Sequence, residues 1–110
     1  MKRCSIIGSN GYLGKHLKWY LEKKGIVPYC YDVADNKEVN YLKIDLTDQR
    51  LLKSIRIDVD YIFLCAGITG TYAGFDRFEE YIKINEMGLL NLLDFIRKSK
   101  YRPRIIFPST

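Results

Sequence analysis

The stretch Cys4-Ser5-Ile6-Ile7-Gly8-Ser9-Asn10-Gly11-Tyr12-Leu13-Gly14-Lys15-His16-Leu17 decides how the rest of the chain is read. A β-favouring run leads into three glycines, and a helix-compatible sequence follows at once. This is the setting in which a glycine-rich turn can hold a dinucleotide pyrophosphate. Gly8 lets the chain leave the strand in a tight turn, and Gly11, lacking a Cβ, lets backbone N–H groups approach phosphate oxygens. Gly14 lets the new helix lie close to its strand. The helix N-terminus adds unpaired N–H donors and a partial positive charge.

The spacing is G-x-x-G-x-x-G, not G-x-G-x-x-G, and a glycine triplet alone also serves ordinary strand-to-helix turns. The mononucleotide loop G-x-x-x-x-G-K-[ST] does not fit. Five residues separate Gly8 from Gly14, and His16 stands where a metal-binding hydroxyl belongs.

Periodicity outward from this stretch alternates strand and helix. Residues 2–7 read as a first strand and 12–24 as a helix whose apolar face is Leu13, Leu17, Tyr20 and Leu21, with Gly25 as its cap. Residues 26–31, closed by Asp32, and residues 41–45 read as further strands. Thr47 caps a short helix ending near Ile55, and the apolar run 61–65 reads as a strand buried on both faces. Asp76 and Glu79 have capping-box spacing before a long helix to about Lys98, and residues 104–107 form the last strand. With right-handed crossovers this is an α/β fold, a Rossmann-like doubly wound parallel sheet of five strands in the order 3-2-1-4-5, in one domain over 1–110.

Composition narrows the function classes. Hydrophobic residues make up 47% of 110, which excludes a disordered tail. The longest apolar run, residues 61–68, is too short to cross a bilayer and no apolar leader opens the chain, so a soluble cytoplasmic protein is expected. Cys4, Cys30 and Cys65 are odd in number and set in apolar runs, as buried reduced thiols are, and no metal site is expected. Net charge is +5, densest over residues 97–104. With no recognition motif beside it, that run reads as the solvated end of a helix and nucleic acid is not an expected partner.

Asp32 closes the second strand 18 residues after Gly14, where a carboxylate accepts from an adenosine ribose and repels a 2′-phosphate, favouring NAD over NADP. A solvated turn aspartate is the plain alternative. Asp45 and Leu46 end the third strand where adenine would lie, although Asp45 can equally cap the helix near Thr47. Cys65, Ala66 and Gly67 are small residues at the carboxyl edge of the sheet, where open α/β folds bind ligands. Asn85, polar in an apolar helical pattern, braces the loop after the fourth strand or is simply exposed.

Taken together with Asn85-Glu86-Met87-Gly88-Leu89-Leu90-Asn91 and Ile106-Phe107-Pro108-Ser109-Thr110, these motifs resemble the extended short-chain dehydrogenase/reductases. Among those, the likeness is to the NAD-dependent epimerase/dehydratases of nucleotide sugars, and it covers the whole chain. The resemblance implies that Gly8, Asn10, Gly11, Tyr12, Leu13 and Gly14 hold the pyrophosphate, with Asp32 on the ribose and Asp45 and Leu46 at the adenine. It implies that Cys65, Ala66 and Gly67 wall the nicotinamide and that Thr110, after Ser109, is the catalytic hydroxyl.

The family's catalytic Tyr-x-x-x-Lys helix lies downstream of Thr110, so the resemblance implies an N-terminal part, cut before the catalytic helix and without turnover of its own. Tyr20 and Lys24 match that spacing but lie on the first helix, far from the nicotinamide end, and His16 on the same helix is no placed base. A non-enzymatic dinucleotide sensor or interaction module of the same fold is the alternative. Leu89, Leu90, Leu92, Leu93 and Ile96 exceed one apolar stripe. Because the matching helix contributes to a dimer interface in the family, a homo-oligomer is expected, with exchange of the terminal segment as one route.

Overall fold

The computed structural model describes residues 2–66, 79–80 and 83–107. Five parallel strands form one sheet in the order β3-β2-β1-β4-β5, as the alternation predicts. They are β1 (Cys4–Ile7), β2 (Tyr29–Asp32), β3 (Tyr41–Lys43), β4 (Tyr61–Leu64) and β5 (Arg104–Ile106). Helix α1 (Tyr12–Lys23) joins β1 to β2, a 3-10 helix (Gln49–Ser54) precedes β4, and helix α2 (Gly88–Arg97) precedes β5. A wide π-type turn, Lys83–Met87, leads into α2. Asp76, half of the expected capping box, lies outside the described residues.

β1 is the axis of the molecule, and its four residues are all buried. Its register pairs Ser5 with Tyr29 and with Ile62, and Ile7 with Tyr31 and with Leu64. The strand ends of β1, β2 and β4 are therefore level, and the loops leaving them share one edge. At the opposite edge Arg3 and Arg56 both pair with Asp58, and the Arg56 guanidinium lies 4.9 Å from the Tyr29 ring centroid.

The two faces of the sheet are covered unequally. On one face, α2 and the 3-10 helix bury a continuous core that includes Ile7, Tyr31, Leu52, Ile55, Ile62, Leu64 and Leu92. Each such side chain contributes about 1.5–3 kcal/mol through removal of apolar surface from water. On the other face, Cys4, Ile6 and Leu21 form a smaller cluster beneath α1.

This asymmetry corrects two expectations. β4 is not buried on both faces: Ile62 and Leu64 are buried, whereas Tyr61 and Phe63 on the α1 side are half-buried. Tyr20 and Leu13 are not core residues either, being 52% and 48% exposed. The reason is the line along which α1 touches the sheet. α1 approaches through Gly14 and Leu21, its buried residues, so Leu13 and Tyr20 fall on its flank.

The remaining differences are local. Strand ends are shorter than hydrophobic runs suggest, because side-chain patterning continues past the last ladder hydrogen bond. Asp48, not Thr47, caps the 3-10 helix by accepting from the Arg50 N–H at 3.0 Å. The two-faced reading of α2 holds: Leu92 and Ile96 are buried, while Leu90 and Leu93 are 57% and 40% exposed. Gly25 takes the left-handed conformation (φ 82°) expected after a helix. Among the described residues no helix is long and apolar enough to cross a membrane.

Candidate functional site

The level ends of β1, β2 and β4 open into a cleft of about 590 Å³ at the carboxyl edge of the sheet. Gly8, Asn10 and Gly11 form one wall, Asp32 and Val33 a second, and Asp45 and Leu46 a third. Cys65 and Ala66 form the floor on the β4 side, and Glu80 also borders the cleft.

The three glycines do different work. Gly8 is left-handed (φ 93°), and a Cβ there would meet the Ala66 nitrogen at 2.4 Å and the Cys65 carbonyl carbon at 2.6 Å. Its absence of a side chain seats the turn directly on the β4 loop. At Gly14 a Cβ would lie 2.1 Å from the Gly8 carbonyl oxygen, so the helix could not pack beneath the turn. Gly11 is unlike both. Its backbone is extended (φ −75°, ψ 173°), and the nearest atom to an added Cβ is the Gly8 carbonyl oxygen at 3.6 Å. The protein itself puts nothing else within 4 Å of that position, and Gly11 borders the cleft. Tyr12, Leu13 and Gly14 then form the first turn of α1.

Asp32 is tied to this turn. Its Oδ2 accepts from the Asn10 backbone N–H at 2.8 Å, and its Oδ1 accepts from the Val33 N–H at 2.7 Å. A carboxylate has about four acceptor positions, so the two backbone donors orient it and leave capacity for ligand hydroxyls. The Asn10 side chain points the other way. Its Nδ2 donates to the Tyr41 hydroxyl at 3.2 Å, and its Oδ1 accepts from Asn36 Nδ2 at 2.9 Å.

Asp45 borders the cleft, and its Oδ1 accepts from the Thr47 N–H and hydroxyl at 2.9 and 2.7 Å; it does not cap the 3-10 helix, whose cap is Asp48. Leu46 is held from behind. Asn91, 7% exposed, donates from Nδ2 to the Leu46 carbonyl at 2.9 Å and accepts from Gln49 Nε2 at 3.0 Å. Gly88 packs its bare Cα against the Leu46 side chain. Asn91 stands in the sequence as part of the motif that carries the resemblance, with no role of its own assigned to it. Its position between Leu90 and Leu92 was the available signal. Asn85 is half-buried in the turn preceding α2.

Burial raises the Cys65 thiol above its ordinary pKa, and pushes Cys30 up to about 11. Neither is poised as a thiolate, and all three cysteines are free. Among the described residues no group of three or more His, Cys, Asp or Glu could hold a metal ion. Gly67, Ser109 and Thr110 lie outside the described residues.

A model of the NAD dependent epimerase/dehydratase family matches residues 4–110. Sterol-4-alpha-carboxylate 3-dehydrogenase, decarboxylating, of Homo sapiens is 25% identical over 111 residues, covering 98% of this chain and 29% of that protein. UDP-N-acetyl-alpha-D-glucosaminuronate decarboxylase of Bacillus cytotoxicus is 27% identical over 122 residues, covering 99% and 36% respectively. A solved uronate dehydrogenase from Agrobacterium tumefaciens, a mutant form complexed with NAD, has a TM-score of 0.79 at 27% identity, covering 100% of this chain and 41% of that one. The chain thus spans about a third of the length of the curated relatives it matches.

Proposed function

This chain belongs to the NAD dependent epimerase/dehydratase family, and on that premise we propose that it forms the NAD-holding part of an enzyme acting at a carbon of a nucleotide sugar. The observation that carries the reading is the single cleft shared by the glycine turn and Asp32, joined by the bond from the Asn10 N–H to the carboxylate. A relative complexed with NAD and another named for a UDP-sugar support the cofactor and the substrate class.

The residues fit such a cofactor. The space beside Gly11 admits a phosphate against the backbone, and the unpaired N–H groups of the first turn of α1 are assigned to it. Asp32 accepts from the adenosine ribose and disfavours a 2′-phosphate by charge repulsion. Asp45 and Leu46 are assigned to the adenine, and Cys65, Ala66 and Gly67 to the nicotinamide side. Bound NAD supplies a ring that accepts or returns a hydride. Thr110, following β5, is assigned the hydroxyl that contacts the sugar. Proton transfer is assigned to a Tyr-x-x-x-Lys pair of the kind the resemblance implies.

The exposed side of α2, with Leu90 and Leu93, supports self-association through that helix. Sedimentation tests this separately; a monomeric mass at micromolar concentration contradicts it. For the main reading, calorimetric titration with NAD is the test, and no binding at millimolar ligand contradicts it.

A further inference from the structure

The loop between β2 and β3 is bound to the glycine turn by side chains that stand outside the cleft. Tyr41 donates its hydroxyl hydrogen to the Ala34 carbonyl and accepts from Asn10 Nδ2. Asn36 donates to Asn10 Oδ1 at 2.9 Å and accepts, through its own Oδ1, from the Glu38 N–H at 2.8 Å. Asn10 therefore uses one donor and one acceptor of its amide on this loop. Two residues after Asn36 the same loop is pinned to α1, where Lys18 forms an ion pair with Glu38. Asn40 makes the return into β3 in a left-handed conformation (φ 62°).

Asn10 borders two hollows. One is the large cleft; the other is a groove of about 210 Å³ on the α1 side, bordered also by Asn36, Lys18 and Glu38. Its backbone N–H serves the first through Asp32, and its side chain serves the second. We infer that Tyr41 and Asn36 are positioning residues for dinucleotide binding: by gripping the Asn10 amide from behind, they fix the N–H that orients the Asp32 carboxylate. The inference rests on the dinucleotide reading given above.

An amide is required at position 10, because the two partners present opposite needs. Tyr41 has committed its only hydrogen to Ala34, so it must receive one, and Asn36 offers a hydrogen, so it must be accepted. Tyr41→Phe leaves both the Ala34 carbonyl and Asn10 Nδ2 without that partner, and Asn36→Ala leaves Asn10 Oδ1 without its donor. Neither residue borders the cleft in which the dinucleotide would lie, so an effect on affinity must travel through Asn10.

The test compares ADP-ribose and nicotinamide mononucleotide binding by calorimetry, with apo-protein thermal midpoints measured alongside. Tyr41→Phe and Asn36→Ala are expected to weaken ADP-ribose about three- to tenfold, the effect of one or two lost hydrogen bonds. Nicotinamide mononucleotide affinity should be unchanged. Glu38→Gln, which loosens the same loop without touching Asn10, should bind ADP-ribose as the unaltered protein does. Equal losses for both ligands, or losses that follow the thermal midpoint and recur in Glu38→Gln, would mark the network as merely structural and overturn the inference. If the unaltered protein binds ADP-ribose and both variants match it, the inference alone fails. If the unaltered protein binds no dinucleotide fragment, the functional reading fails and takes the inference with it.

Discussion

The backbone N–H of Asn10 donates to Asp32 Oδ2 at 2.8 Å, although the two residues belong to different strand-to-helix and strand-to-loop turns. The contact exists because β1 and β2 are hydrogen-bonded neighbours whose ends are level, with Ile7 beside Tyr31. It couples the segment that would hold phosphates to the carboxylate that would hold the ribose. Asp32→Asn keeps an acceptor for Asn10 but removes the charge. NAD affinity should fall about tenfold, with loss of a charge-assisted hydrogen bond, while NADP affinity rises or holds. Paired titrations with the two cofactors check the prediction.

The glycines separate folding from binding. Gly8→Ala introduces a side chain at φ 93° against the backbone of Cys65 and Ala66. Left-handed strain alone costs of order 1–3 kcal/mol, and a domain of this size loses roughly 4–8 °C of thermal midpoint per kcal/mol. Gly11→Ala meets nothing closer than 3.6 Å and needs no positive φ. It should melt within a degree or two of the unaltered protein yet bind NAD at least tenfold more weakly. Calorimetric melting and ligand titration on both variants decide it.

Asn91 is a buried polar residue that holds the Leu46 carbonyl at the border of the cleft. Asn91→Leu strips the Leu46 carbonyl and Gln49 of their partner. An unsatisfied buried group costs about 1–3 kcal/mol, measurable as a shift of the urea midpoint.

How much of this was legible beforehand depended on sequence distance. The β1–glycine–α1 unit is local, and its spacing alone announces a turn, a close approach and a helix start. Asp32 could be placed because parallel strands of known order have level ends. The partners of Asn10 could not. Tyr41 stands 31 positions away and Asn36 stands 26 away, and only the path of the β2–β3 loop brings them there. Tyr20 misled for a related reason: helical periodicity gives a face, but Gly14 decides how closely and at what angle that face meets the sheet. Asn91 was hidden by its surroundings, an amide satisfied by a carbonyl 45 positions earlier.

Acid sensitivity should originate at the edge of the sheet away from the cleft. Hydrogen bonding and charge from Arg56 lower Asp58 from 3.8 to about 2. A carboxyl depressed on folding stabilises the protein above its unfolded pKa and loses that contribution as pH falls through the folded value. The stability difference between the unaltered protein and Asp58→Asn should therefore be constant above about pH 5 and vanish between about pH 4 and 2. Urea denaturation across that range checks it; a difference that grows on acidification contradicts it.

The most direct measurement of the central claim is an amide NMR titration of the protein with NAD. Resonances of Gly8, Asn10, Gly11 and Val33 are expected to shift together along one binding curve, with Asp32→Ala abolishing the effect. Unshifted amides in the glycine turn at millimolar NAD, or shifts confined to the far edge of the sheet around Arg3 and Asp58, would contradict it.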